Sequence, residues 1–159
     1  LYATITLHHI LLSLDDVLGN LMHPDLFCKP MIKTPKDRDS LLACALSAHP
    51  KVSFGSDSAP HLQSKKYSAS APGGIFSAPI ALSMLASVFA YHDKLENLQA
   101  FVSDNAYKNY ELDSVLGDTH KVIKFCAQSW EIPQSIACEN SAISVLFGGK
   151  QCVFGRISK

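Results

Sequence analysis

The sequence predicts an α/β fold in which two parallel strands are joined by a helix. Residues 3–7 are rich in β-branched side chains, residues 35–46 carry leucines at helical spacing, and residues 52–55 are again apolar. A strand, a helix and a strand in this order form a βαβ unit, whose strands pair in parallel through a right-handed crossover. We therefore expect a parallel sheet at the amino-terminal end.

The composition is that of a globular domain with a full core. Hydrophobic residues make up 47% and charged residues 18% of the 159 residues, which argues against disorder. The 14 basic and 14 acidic residues give a formal net charge of zero and form no basic block. The sequence therefore lacks the electrostatic footprint of a protein that binds DNA or RNA, and we expect no nucleic-acid partner.

Cysteine usage indicates a reducing compartment. The five cysteines are odd in number and form no Cys-x-x-Cys pair, so neither a disulfide framework nor a structural zinc cluster is expected. No secretory signal peptide is visible, and the uncharged stretch 73–91 contains Pro79 and two glycines. We interpret that stretch as a loop leading into a buried helix, and we expect a cytoplasmic protein with no membrane partner.

The first strand is predicted to begin at Ala3 and to run on through the adjacent His8 and His9. Residues 13–24 contain acidic residues and a glycine that break any periodicity, so they predict a loop.

The adjacent histidines of the first strand could suggest a metal site. Because neighbours in a strand point to opposite faces, His8 and His9 are not expected to bind one metal ion. For His9 we favour a role in packing or in hydrogen bonding to a loop.

The helix of the βαβ unit has a clear start signal. Residues 27–33 form an extended segment that Pro30 excludes from the centre of a regular sheet. Thr34 and Pro35 then predict a helix start, as capping residue and first helical residue, and the helix should end near His49 and Pro50.

The remaining elements are predicted from their apolar spacing. Residues 62–72 form a polar loop, residues 80–89 carry an apolar helical face, and a second helix covers 95–102. A short helix is expected over 119–127, and residues 143–157 are expected to form two strands around the turn at Gly148 and Gly149.

The segment Gly-Ser-Asp-Ser-Ala-Pro-His at 55–61 combines groups that a hydrolytic site uses. It sets the carboxylate of Asp57 at the carboxyl end of a strand and the imidazole of His61 four residues later. In parallel α/β barrels that end of the strands carries the catalytic groups. The alternative is structural, since an Asp in this context also caps a helix or closes a turn. The heptapeptide alone leaves both interpretations open.

Five segments, in order along the chain, resemble the carboxyl-terminal part of the single-function dihydroorotases of the amidohydrolase superfamily. The resemblance extends from Ala3 to about Tyr110 and becomes weaker beyond it. The segments are Ala-Thr-Ile-Thr-Leu-His-His at 3–9, Phe-Cys-Lys-Pro at 27–30, the heptapeptide at 55–61, Gly-Gly-Ile-Phe-Ser-Ala-Pro at 73–79 and Ala-Phe-Val-Ser-Asp-Asn at 100–105.

This resemblance implies a fold and an activity. Residues 1–112 would be the carboxyl-terminal portion of a metal-dependent (β/α)8 TIM barrel, with its last two strands and the following helices. Residues 113–159 would form a carboxyl-terminal helix and a short β-rich extension. The implied reaction is the zinc-dependent, reversible cyclisation of N-carbamoyl-L-aspartate to dihydroorotate in pyrimidine biosynthesis. The partners implied are this small-molecule substrate and, in the complete enzyme, a second copy of the protein in a homodimer.

The resemblance also implies roles for individual residues. Asp57 matches an aspartate that binds one of two Zn²⁺ ions and acts as the general base. His61 matches the imidazole that holds the substrate carboxylate. Lys29 and Gly73 match positions whose main chain contacts the substrate.

The rest of the implied metal site has no counterpart in this sequence. The family's first-strand His-x-His pair, its metal-bridging lysine and the two histidines of its middle strands are not found here. We therefore expect the chain to be a fragment that holds only part of the active site and is inactive alone. The alternative is a catalytically inactive barrel of the same family that serves as a binding or assembly partner.

Overall fold

The structure is a computed structural model that describes residues 1–116, 122–138 and 140–156. Helices dominate the first two thirds of these residues, and short strands follow. Up to Tyr91 the elements are β1 (Ala3–Ile5), α1 (Leu7–Leu11), α2 (Leu14–Leu18), a 3₁₀ turn (Pro24–Leu26), α3 (Pro35–Leu46), β2 (Val52–Phe54), α4 (Gln63–Lys66) and α5 (Ala81–Tyr91).

The carboxyl-terminal elements are short. A 3₁₀ turn (Leu95–Asn97) and a π-helical turn (Ala100–Asp104) precede two helices and six strands. These are α6 (Asn105–Asn109), α7 (Asp113–Leu116), β3 (Phe125–Cys126), β4 (Trp130–Glu131), β5 (Ser135–Cys138), β6 (Ser141–Ser144), β7 (Gln151–Cys152) and β8 (Gly155–Arg156).

The predicted βαβ unit is present. Strands β1 and β2 pair in parallel with Thr4 opposite Ser53, and α3 connects them. The start of α3 is a reciprocal cap: Thr34 Oγ1 accepts a hydrogen bond from the Asp37 N–H at 3.3 Å, and the Asp37 carboxylate accepts one from the Thr34 N–H at 3.1 Å. The parallel pairing and the helix start are confirmed, although α3 ends at Leu46 rather than near His49.

The prediction that the first strand continues through His8 and His9 is wrong. The strand ends at Ile5, and Thr6 caps α1 by accepting a hydrogen bond from the His9 N–H at 3.3 Å. Helical spacing buries Leu7 and Ile10 on the core side, and this burial outweighs the β-branched run that precedes them.

The predicted loops at 13–24 and 62–72 each contain a short helix, α2 and α4. Helix α2 forms because the Asp16 carboxylate accepts a hydrogen bond from the Ser13 N–H at 2.7 Å and because Val17 is buried. Residues 27–33 belong to no strand, which agrees with the exclusion of Pro30 from the centre of a sheet, and a cis peptide bond joins Lys29 to Pro30.

One apolar core joins the βαβ unit to the carboxyl-terminal strands. The Phe89 ring of α5 is fully buried and stacks on Phe101 with 5.6 Å between ring centroids. The carboxyl-terminal segment contributes four buried residues to the same cluster: Ile132, Val145, Leu146 and Cys152. The helix predicted over 80–89 is confirmed, because α5 covers Ala81–Tyr91.

The helix predicted over 95–102 is present, although it is irregular: it begins as the 3₁₀ turn Leu95–Asn97, continues as the π-helical turn Ala100–Asp104 and runs on into α6. Two other carboxyl-terminal predictions need correction. Of the helix predicted over 119–127, residues 119–121 lie outside the described residues, and Phe125–Cys126 is a strand paired with Gly155–Arg156. The two predicted tail strands do not pair with each other, because β6 pairs with β5 and β7 pairs with β4.

The turn at Gly148 and Gly149 explains this pairing. The backbone of Gln134 lies so close to Gly148 that a Cβ there would come within 2.6 Å of the Gln134 Cα. Hydrogen bonds from the Gly149 N–H to Ile132 O and from the Ile132 N–H to Lys150 O then fix the turn against the segment before β5.

None of the described helices combines the length and the hydropathy that a membrane span requires.

Candidate active site

Asp57 lies just beyond the carboxyl end of β2. Strand β2 packs tightly on β1 here, since a Cβ on Gly55 would come within 2.8 Å of the Thr4 Cβ. Asp57 has a φ of +39°, a conformation that costs energy in residues other than glycine and is often found at functional sites. Its exposed carboxylate borders a cavity of about 610 Å³. The cavity is lined by Thr4, Ile5, Thr6, His9, Pro30, Leu41, Gly55 and Asp57.

The chain after Asp57 runs beside the segment 73–79. The Ala59 N–H donates to Ile75 O at 3.0 Å, and Ser58 and Ile75 form a parallel bridge. Ser58 Oγ accepts hydrogen bonds from the N–H groups of Ser77 and Ala78 at 3.0 and 2.9 Å. These hydrogen bonds hold the segment 55–61 against the segment 73–79, two of the five segments that carry the resemblance.

The structure brings His61 and Gly73 together. The Nε2 of His61 lies 3.3 Å from Gly73 O, a distance at which the protonated ring nitrogen donates to the carbonyl. Gly74 has a φ of +157° and touches the same ring, since a Cβ on it would lie 2.8 Å from Nε2. The imidazole is therefore positioned by the two glycines.

Lys29 also lies close to Gly73. A Cβ on Gly73 would come within 3.1 Å of the Lys29 Cγ and 3.4 Å of the Lys29 N. The Gly74 N–H also donates to Phe27 O at 2.9 Å, which connects this segment to the backbone before Lys29. The predicted site residues Lys29, His61 and Gly73 therefore form one group, while Asp57 borders the cavity that Pro30 also lines.

His8, His9 and Cys28 form a cluster beside this cavity. The expectation that His8 and His9 point to opposite faces is wrong, because both lie on α1, with 4.6 Å between their ring centroids. With Cys28 they bring three possible ligand atoms within 4.8 Å of one another. Burial raises the pKa of the Cys28 thiol, and that thiol donates to Pro30 O at 3.3 Å. Cys28 is thus held as a protonated, hydrogen-bonded thiol, which is a poor metal ligand.

The two imidazoles have different environments. His9 uses both ring nitrogens, with Nδ1 2.7 Å from Thr6 Oγ1 and Nε2 3.0 Å from Pro30 O, so it does bond to a loop as favoured above. The ring of His8 is fully buried, and neither nitrogen has a hydrogen-bond partner among the described residues. Burial, with a smaller contribution from His9, lowers the pKa of His8 to about 4.

A residue that the sequence did not single out is central to this region. Lys66 is only 3% exposed, and its ammonium donates to Phe27 O, Pro72 O and Gly74 O at 2.9, 3.2 and 2.8 Å. Nothing in the pair Lys65-Lys66 shows which of the two is buried, so no sequence signal could have identified it.

Parallel strands, a crossover helix and a carboxylate at a strand's carboxyl end are features of α/β barrels, and the comparisons place this chain among the barrels of the amidohydrolase type. The crystal structure of dihydroorotase from Campylobacter jejuni aligns with 99% of this chain at a TM-score of 0.86 and 38% identity, and 45% of that protein is covered. A Saccharomyces cerevisiae dihydroorotase bound to 5-fluoroorotic acid gives a TM-score of 0.87 at 34% identity, with 98% of this chain and 43% of that chain covered. A Thermus D-hydantoinase, at 15% identity and a TM-score of 0.76, supports the fold alone; the alignment covers 98% of this chain and 36% of that protein.

The chain is a homologue of the dihydroorotases over almost all of its length. It is 55% identical to dihydroorotase from Helicobacter pylori strain G27 over 150 residues, which cover 94% of this chain and 43% of that protein. It is 62% identical to the Helicobacter hepaticus dihydroorotase over 112 residues, covering 70% of this chain and 33% of that protein. The chain thus spans less than half the length of these curated relatives. No protein-family model matches it.

These comparisons confirm the resemblance and the α/β barrel class predicted from the sequence. The alternative of an inactive barrel kept as an assembly partner is not favoured, because relatives at 35 to 55% identity carry the name dihydroorotase.

Proposed function

We propose that this chain forms the Asp57 side of a dihydroorotase active site. The reaction is the reversible cyclisation of N-carbamoyl-L-aspartate to dihydroorotate, with loss of water in one direction and amide hydrolysis in the other. The observation that carries the proposal is the position of Asp57. Its carboxylate borders a cavity at the carboxyl end of a parallel strand, in a chain that is 55% identical to a dihydroorotase.

Asp57 fits the place of a metal ligand and proton carrier. A carboxylate oxygen is a suitable Zn²⁺ ligand, and the side chain is exposed to the cavity rather than used in an ion pair with a described residue. Bound zinc ions would polarise the substrate carbonyl and lower the pKa of water. In hydrolysis, Asp57 would take the proton of the attacking water and return it to the leaving amide nitrogen. Cyclisation runs these transfers in reverse.

The neighbouring group would recognise the substrate. His61 offers an imidazole that can bind a carboxylate, while Lys29 and Gly73 would contact the substrate through their main chain. The contact between His61 Nε2 and Gly73 O supports this assignment, because it holds both residues on one side of the site. Side-chain identity at 29 and 73 then matters less than backbone position.

The described residues supply one carboxylate to a site that needs two zinc ions. The cluster of His8, His9 and Cys28 does not include Asp57, and two of its possible ligand atoms, His9 Nε2 and Cys28 Sγ, lie within hydrogen-bond distance of Pro30 O. We therefore propose that further metal ligands come from outside the described residues, and that this chain alone is inactive. We further propose that the complete enzyme is a homodimer in the cytoplasm.

The test is an assay of the full-length protein that contains this sequence, in both reaction directions. We expect cyclisation of N-carbamoyl-L-aspartate and hydrolysis of dihydroorotate, together with two equivalents of bound zinc. Hydantoin and dihydrouracil, offered in the same assay, discriminate this activity from that of other cyclic-amide hydrolases. A metal-loaded protein that turns over neither dihydroorotate nor N-carbamoyl-L-aspartate would overturn the proposal.

A further inference from the structure

Lys66 is a buried cation whose three N–H groups all bind backbone carbonyls. The acceptors are Phe27 O, Pro72 O and Gly74 O, at 2.8 to 3.2 Å. An ammonium has three donors and no acceptor, so these contacts satisfy it completely. Within the described residues no carboxylate forms an ion pair with it. All three N–H groups of the Lys66 ammonium are therefore used to bind the backbone of two loops, one containing Phe27 and the other containing residues 72–74.

These loops are the ones that hold the predicted substrate contacts. Phe27 lies two residues before Lys29, and Pro72 and Gly74 flank Gly73. In a trans peptide unit the N–H points opposite to the C=O. Because Pro72 O points at the ammonium, the N–H of Gly73 points away from it. The ammonium thereby fixes the orientation of the peptide planes around Gly73.

The same ammonium ties the two loops to each other. Phe27 O accepts from both Lys66 Nζ and the Gly74 N–H, so one carbonyl joins the segment before Lys29 to the segment containing Gly73. Gly74 in turn touches the ring of His61. The ammonium of Lys66 therefore contacts the backbone next to Lys29 and Gly73 and the glycine that touches the ring of His61.

Burying this charge is unfavourable in itself. Desolvation lowers the pKa of Lys66, and only the nearby Asp25 and Cys28 oppose that shift. Lys65, next to it on α4, is exposed, so the local helix does not require a buried lysine. An apolar side chain at this buried position would leave three carbonyl groups without the donor that Lys66 supplies, which indicates that its hydrogen bonds have a role.

We propose that Lys66 is a positioning residue of the active site, whose ammonium holds the backbone at 27–29 and 72–74 in the arrangement that binds the substrate. This inference rests on the function proposed above. An ammonium bound to a carbonyl also polarises that peptide group, so its N–H becomes a stronger donor. The Gly73 N–H would therefore bind an anionic or carbonyl oxygen of the substrate more tightly while Lys66 is in place.

The test compares Lys66→Met with Lys65→Met in the full-length protein. Methionine keeps the length of the side chain and removes its donors, whereas Lys65 is exposed on the same helix. For Lys66→Met we expect KM to rise at least tenfold, with kcat within about threefold and the zinc content unchanged. Lys65→Met should leave all three at wild-type values. Equal KM values for the two variants would overturn the proposal.

Hydrogen–deuterium exchange provides a readout that does not need activity. Lys66→Met should accelerate exchange in peptides covering 67–76 and leave those covering α5 unchanged. If the wild type lacked dihydroorotase activity, the proposed function would fail, while this exchange pattern would still decide the role of Lys66. Unchanged exchange at 67–76 would overturn that role.

A second variant covers the case in which Lys66→Met does not fold. Lys66→Arg keeps the charge, but a planar guanidinium cannot direct its N–H groups at the same three carbonyls around one point. We expect a folded protein with KM raised at least threefold and faster exchange at 67–76. Wild-type KM and wild-type exchange in Lys66→Arg would overturn the proposal.

Discussion

The imidazole of His61 lies directly against the backbone of Gly74. A Cβ built on Gly74 would come within 2.8 Å of His61 Nε2 and within 2.6 Å of the Ala59 Cβ. The φ of +157° at Gly74 is also one that other residues rarely adopt. Gly74 is therefore required both for its own conformation and for the place of the imidazole.

Gly74→Ala should displace His61 and weaken substrate binding. The added methyl group cannot be accommodated by Ala59, whose Cβ is fixed to the backbone, so the imidazole has to move. We expect KM to rise at least tenfold and stability to fall by about 1–3 kcal/mol from the strained backbone. Gly149→Ala is the matched control, since its φ is +81° but a Cβ there meets its nearest neighbour at 3.4 Å. A control variant with the same rise in KM would contradict this assignment.

Asp57→Asn should abolish turnover without unfolding the protein. The amide keeps the size of the side chain but cannot take up a proton, and it is a weaker zinc ligand. We expect kcat to fall by at least about three orders of magnitude in both directions, and zinc content to fall with it. Asp93→Asn is the control, because Asp93 is also an exposed aspartate with a positive φ, of +52°. Turnover within tenfold of wild type in Asp57→Asn would exclude Asp57 as the general base.

His8 should make the protein less stable as the pH falls below neutrality. Its pKa is 6.5 in the unfolded chain and about 4 in the folded protein, so between these values the unfolded state binds more protons. The free energy of unfolding should therefore decrease from pH 7 towards pH 4 and then level off. At pH 5 the decrease is up to about 2 kcal/mol. Below pH 4 it reaches up to about 3 kcal/mol.

Urea unfolding of His8→Met and of wild type, at pH 7 and pH 5, measures this contribution. Methionine fills a similar volume and does not titrate, so the variant should lose less stability on acidification than the wild type. His92→Gln, which removes an exposed histidine, should behave as wild type. Parallel acid losses in His8→Met and wild type would show that His8 does not titrate in this way.

The sequence predicted those parts of the fold whose signals are local. The helix start at Thr34 and Pro35 and the short apolar run at 52–54 lie within single elements, and both are confirmed. The first strand was extended too far because Leu7 and Ile10 belong to an amphipathic face whose partner lies far along the chain. The strand pairs of the carboxyl-terminal segment depend on the position of Gln134 beneath Gly148, and no local pattern reveals that contact.

For the candidate site, the sequence predicted individual residues but not the contacts that hold them in place. The heptapeptide at 55–61 placed Asp57 beyond a strand, where the structure also has it. The proximity of His61, Gly73 and Lys29 follows from pairing between distant segments, such as the hydrogen bond from Ala59 to Ile75. Lys66 escaped detection because burial of one lysine in a pair is decided by tertiary contacts alone.

Phe89→Ala should destabilise the protein and the site together. The Phe89 ring is fully buried and stacks on Phe101, whose ring lies 6.1 Å from that of Phe54, the last residue of β2 and three positions before Asp57. Loss of the ring leaves a cavity beneath this strand and should lower the free energy of unfolding by about 3–5 kcal/mol. Tyr91→Ala, which removes an aromatic ring that is 84% exposed on the same helix, should change it by less than about 0.5 kcal/mol. Urea denaturation of the full-length variants gives both values, and similar losses in the two would show that α5 does not pack as described.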